Sequence, residues 1–198
     1  MTTQRRDQIM RFLHANGAQS VEHLHGSLLE HLERTEALLH AWGCSDTVAF
    51  AGLCHATYGT DGFPTALVTL EHRDEVSEVA GIDVEALVYF YASCDRAFVY
   101  PRLRDGQEEA CKDRFTGETF EPDHSRLRDF VDLTLANEAD VGLSGARPAA
   151  GWPEWLSALF GDLGHLASPS VRAGFGQLMV DAGVEELDLQ PGGDRRRA

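Results

Sequence analysis

The chain has 198 residues, enough for one helical domain with a substantial core, and 17 basic against 32 acidic side chains leave a net charge of −15. That balance excludes a phosphate-backbone partner, because nucleic-acid affinity needs a basic stripe, and the only cationic run is Arg195-Arg196-Arg197. No stretch approaches the ~20 apolar residues of a membrane span. Residues 1–11 are too polar for a secretory leader, and Cys44, Cys54, Cys94 and Cys111 show no C-x-x-C spacing. A reduced cytoplasmic protein with a small-molecule substrate is the expectation.

Helical periodicity runs through the chain. Ile9, Met10, Phe12 and Leu13 predict a short first helix that stops at Asn16-Gly17. A second is predicted from about 21 to 42, ending at Gly43, and a third follows a cap at Ser45 or Asp46 and runs to His55. After a loop rich in glycine and proline, a polar helix is expected from about 73 to 80. Gly81 breaks it, Asp83 caps the next, and 84–96 reads as a strongly apolar helix. Residues 101–122 read as irregular, with a turn at Phe115-Thr116-Gly117. Helix resumes from about 125 to 141, and after a Gly/Pro/Ala linker Pro153 and Pro169 open two last helices. No alternation lasts long enough for a sheet. The expected fold is all-α: a helical domain over 1–143, two extra helices over 144–184 packed on it, and a frayed tail over 185–198.

Register at ~100° per residue shows which polar groups face inward. Leu24, Leu28, His31, Thr35 and Leu38 form one stripe, so His31 lies on the apolar face of the second helix. Val48, Ala51, Gly52 and His55 share a face of the third, where small residues allow a neighbouring helix to come close. Val84, Val88, Tyr91 and Asp95 align, as do Phe130, Thr134, Asn137 and Val141, which turns Asp95 and Asn137 inward. Neutral imidazole is the commonest metal ligand, and burying such groups without partners is costly. His31, His55, Asp95 and Asn137 are therefore the expected ligands of one divalent ion, Fe, Mn or Zn. Each also has an ordinary reading as a hydrogen-bonded core group. His25, about 240° round the helix from His31, and Thr60, in the loop after His55, are expected near a pocket mouth. Tyr58, Arg73 and Arg96 are the candidates for orienting substrate or neutralising an anion, although an ion pair with Glu75 or Glu78 is the favoured reading of Arg73.

At these residues the chain resembles the HD-domain superfamily, all-helical proteins in which a histidine, a His-Asp pair and a later aspartate hold divalent metal. His31 corresponds to the lone histidine and Ala51-Gly52-Leu53-Cys54-His55 to the segment of the pair. The stretches HLERTEALLHAWG, AGLCHATYGTDGF and LANEAD resemble, more narrowly, an HD-like family known only as a domain of unknown function. There is also a likeness to the hydrolase domain of the stringent-response (p)ppGpp synthetase/hydrolases. The resemblance implies a metal-dependent hydrolase over about 24–141. Position 56 departs from it: Ala56 stands where the superfamily has the aspartate of the pair, which argues against a dinuclear site, and the Glu-Asp pair of the (p)ppGpp hydrolases is missing after His55.

Three functions follow. One is a mononuclear metal enzyme that hydrolyses a small phosphorylated or otherwise anionic metabolite with a metal-activated water. Another uses the same ligands as a non-haem iron oxygenase. The third is a degenerate HD fold that binds a small ligand without catalysis.

Overall fold

In a computed structural model, residues 2–24, 26–106, 110–143 and 151–183 are described. Helices α1 (Thr2–Ala15), α2 (Leu28–Ala41), α3 (Asp46–Cys54), α4 (Arg73–Ala80), α5 (Ile82–Ser93), α6 (Arg96–Arg104), α7 (His124–Leu143), α8 (Trp152–Leu163) and α9 (Pro169–Asp181) carry the fold. Two minimal antiparallel hairpins interrupt them: β1 (Glu22–His23) with β2 (Gly26–Ser27), and β3 (Cys111–Lys112) with β4 (Thr119–Phe120). Among the described residues no helix is long and apolar enough to cross a membrane. All four cysteines are free thiols.

The centre of the molecule is α3. The Ser45 hydroxyl accepts the Val48 N–H and starts the helix, and every side chain from Val48 to Cys54 is buried. A helix that is apolar all round must be covered all round. α2, α5, α7 and α1 supply the cover. Gly52 makes the α2–α3 approach possible, since a Cβ there would lie 2.5 Å from Leu39 Cδ1. α8 packs on α6 and α7, and α9 on α7, with Phe175 stacked on Phe160 at 4.9 Å between ring centres.

Four expectations need correction. The second helix begins at Leu28, not near 21. Gly26 takes φ 132°, and Ser27 and Glu30 cap each other's backbone, so Glu22 and His23 pair with Ser27 and Gly26 ahead of the helix, and Leu24 stands 70% exposed. Gly81, not Asp83, begins α5. That helix ends at Ser93, where Cys94 turns extended and bridges Asp113, so Asp95 lies beyond the stripe drawn from Val84. The region expected to be irregular contains the C-terminal half of α6 and the β3 and β4 strands. Residues 144–150 of the expected linker and the whole of the expected tail over 185–198 lie outside the described residues.

One buried carboxylate on α7 yields a pH prediction. Asp132 accepts the Ser168 N–H at 2.8 Å, and burial pushes its pKa up to about 6, against ~3.9 in an unfolded chain. Between pH 4 and 6 the folded protein thus holds more protons than the unfolded chain. Asp132's contribution is complete below about pH 4 and is lost as pH rises through about 6. Asp132→Asn keeps the acceptor and removes the charge. It should raise stability by roughly 1 kcal/mol at pH 7 and by little at pH 4, read as Tm at the two pH values.

Candidate metal centre

His31 projects from the first turn of α2 and is 1% exposed. Its Nδ1 lies 2.6 Å from Oδ2 of Asp140 on α7. Arg34, one turn along α2, donates Nε to Asp140 Oδ1 at 2.7 Å and Nη2 to Oδ2 at 3.0 Å. A carboxylate held by a guanidinium accepts from the imidazole, so Nδ1 carries the proton and Nε2 turns to the cavity.

His55 closes the C-terminal end of α3, and its Nδ1 lies 2.8 Å from the Gly52 carbonyl oxygen. A carbonyl only accepts, so Nδ1 is again the protonated nitrogen. Burial, and then the neighbouring His31, pushes the His55 pKa down to about 3, which keeps the ring neutral. Its Nε2 lies 3.3 Å from His31 Nε2.

Asn137 comes from α7. Its Nδ2 donates to Glu138 Oε1 at 3.0 Å, and the same oxygen accepts Arg96 Nη1 at 2.9 Å. Since Glu138 accepts only, the amide orientation is fixed. Asn137 Oδ1 faces His31 Nε2 at 3.1 Å.

Three lone-pair donors therefore meet, each tied from behind so that it cannot present a proton in its neutral form. A shared cation would satisfy all three. The separations suit a first-row metal: bonds of ~2.0–2.2 Å put adjacent ligand atoms about 3.0–3.5 Å apart in octahedral or tetrahedral geometry. The carboxylate behind one imidazole and the carbonyl behind the other are the outer partners that orient metal-binding histidines. Among the described residues no three His, Cys, Asp or Glu side chains gather as a ligand set; the third donor here is an amide oxygen.

The donors open on a cavity of about 530 Å³. Thr60 and Arg96 line it, and so does Ala56 beside His55. Arg96 is held in place: Asp61 accepts its backbone N–H at 3.0 Å, Tyr91 Oη its Nη2 at 3.0 Å, and Glu138 its Nη1.

Other expected site residues lie elsewhere. Asp95 begins α6, with Oδ1 accepting from Phe98 N at 3.0 Å and Oδ2 paired with Lys112 Nζ at 2.9 Å. It does not line the cavity. Tyr58 and Arg73 do not line it either: both bind Glu85, Tyr58 through its hydroxyl at 3.1 Å and Arg73 through Nε at 2.6 Å. Arg73 also lies over the Tyr89 ring at 3.8 Å. His25 lies outside the described residues.

Sequence reasoning missed His23, Arg34 and Asp140. Asp140 follows Asn137 by three residues, so the helical period already puts both on one face of α7. His23 stacks on His31 with ring centres 4.2 Å apart and 13° between planes, and it lines the cavity. Its position depends on the hairpin, which the helix reading had concealed.

Residues 12–96 match a family described as a domain of unknown function (DUF6817). The match covers under half of the chain and takes in His31 and His55 but not Asn137 or Asp140. No curated protein and no solved structure matches the chain. The similarity bears on the unknown-function part of the resemblance, and nothing in it links the chain to the HD-domain superfamily.

Proposed function

We propose that this protein is a mononuclear metal-dependent hydrolase of HD-like ancestry that acts on a small anionic metabolite. The observation that carries the reading is the convergence of His31 Nε2, His55 Nε2 and Asn137 Oδ1, each oriented from behind and none able to donate while neutral. These three residues would hold one Mn, Fe or Zn ion, which would supply an activated water and charge for the leaving oxygen. The remaining work belongs to the chain. Asp140 and the Gly52 carbonyl aim the imidazoles, while Glu138 aims the amide and holds Arg96 at the cavity wall.

The charge of the donor set supports an anionic substrate. Two neutral imidazoles and an amide leave a divalent ion uncompensated, so its open positions favour a negative ligand. Ala56 fits a single ion, because no carboxylate stands at that position to bridge two. The hydrolytic and oxidative readings both counted on Asp95 as the carboxylate ligand, and Asp95 is bound to Lys112 instead.

The test is turnover of p-nitrophenyl phosphate with Mn²⁺, Fe²⁺ or Zn²⁺. Metal-dependent hydrolysis that His55→Ala abolishes supports the reading. Metal-dependent anion binding without turnover would favour the non-catalytic binding module. Asn137→Asp exchanges the amide oxygen for a carboxylate at the same point, and Arg96 remains to balance Glu138. It should tighten Mn²⁺ binding by about tenfold or more, measured by calorimetric titration.

A further inference from the structure

We infer that the ligand of this cavity is an amphiphilic anion, a small acidic head carrying an apolar aryl or alkyl group, with Leu24 and Phe63 as the residues that select for the apolar part. The inference rests on the proposed metal reading and adds the substrate's second half. The cavity lining is of two kinds. His31, His55, Asn137 and Arg96 form a polar floor together with Glu138, which is paired with Arg96, and Glu22 adds a second carboxylate to the lining, whereas Leu24, Leu28, Phe63 and Val141 are apolar.

The chain positions these groups in sequence from floor to mouth. Leu28 lies three residues before His31 on α2, and Val141 lies four residues after Asn137 on α7, so each adjoins a floor residue on its own helix face. Leu24 and Phe63 come instead from the two connecting segments beside the floor. Phe63 is fixed by a tight turn: Thr60 N donates to the Phe63 carbonyl at 2.7 Å, and Phe63 N donates to Thr60 Oγ1 at 3.0 Å. His23 ties the hairpin to the floor, stacked on His31 and edge-on to Phe63 at 5.3 Å. Leu24, the next residue, therefore stands at the cavity although 70% of its surface is in water.

An exposed leucine on a pinned hairpin contributes nothing to the core. A bare inorganic anion would engage the floor and leave this apolar surface wet. An anion with an aryl or alkyl group would cover it, and removing that area from water strengthens binding in proportion.

Two probes with the same head isolate the effect: methylphosphonate and phenylphosphonate, titrated calorimetrically into the full chain with Mn²⁺. Phenylphosphonate should bind about tenfold tighter. Leu24→Ser, a change at an exposed position, should remove most of that advantage and leave methylphosphonate affinity unchanged. If both phosphonates bind with equal affinity, or if Leu24→Ser weakens neither or both alike, the inference is overturned while the metal reading stands. If neither binds with Mn²⁺ present, the metal reading fails and the inference falls with it.

Discussion

His31→Ala protein is expected to lose Mn²⁺ binding by more than about 100-fold while remaining folded. Loss of an outer partner alone typically costs ~10–100-fold in metal affinity, and His31 is the ligand itself. It is also the residue that joins the others, with His55 and Asn137 on one ring nitrogen and Asp140 on the other. Its removal leaves no orphaned charge, since Arg34 still holds both oxygens of Asp140. The vacated space adjoins an existing cavity, so water can enter. Stability should fall by about 1–3 kcal/mol, as expected for loss of a buried, hydrogen-bonded side chain. Asp140→Asn should behave differently: the metal ligands stay, the orienting carboxylate goes, and affinity falls by about 10–100-fold. Equal Mn²⁺ affinity in wild type and His31→Ala would remove His31 from the site.

Arg73→Ala should destabilise the fold by about 2–3 kcal/mol and leave anion binding untouched. The Glu85 side chain is 6% exposed, and its partners are Arg73 and the Tyr58 hydroxyl. Loss of Arg73 strands a buried carboxylate beside a phenol that cannot neutralise it. Because Arg73 is itself 40% exposed, the expected cost lies below that of a fully buried pair. Glu85→Gln should cost less, since the amide oxygen can still accept from Tyr58 and no charge is left in the interior. Urea midpoints for the two variants give the comparison. If Arg73→Ala retained full stability and weakened phosphonate binding, Arg73 would belong to the substrate after all, as its sequence setting suggested.

Much of the scaffold was legible because its signals are local. Ser45 before an apolar run, Gly81 as a breaker and Pro169 in a first turn each mark a helix end that the structure places there. The inward setting of His31, His55 and Asn137 also followed from register alone, and the structure brings these three together. Two errors came from extending a stripe too far. Leu24 continues the α2 pattern by four residues, but Ser27 and Glu30 form a capping box that starts the helix later. Asp95 continues the α5 pattern, yet it stands three residues before Phe98 as an N-cap for the next helix. The pairing of Asp140 with Arg34 and His31 joins residues more than a hundred positions apart. No periodicity within one helix reports that contact. The Glu85 cluster was missed for the same reason, because a lone arginine in sequence does not show which of several carboxylates it will meet.

The central claim is that two imidazoles and one amide oxygen share a cation. The most direct measurement is anomalous diffraction at the manganese edge from crystals of the full chain grown with Mn²⁺. The account predicts one peak within about 2.0–2.3 Å of His31 Nε2, His55 Nε2 and Asn137 Oδ1. No peak at that point, or an ion held by other residues, would contradict it and leave His31 and His55 as buried core groups bonded to their neighbours.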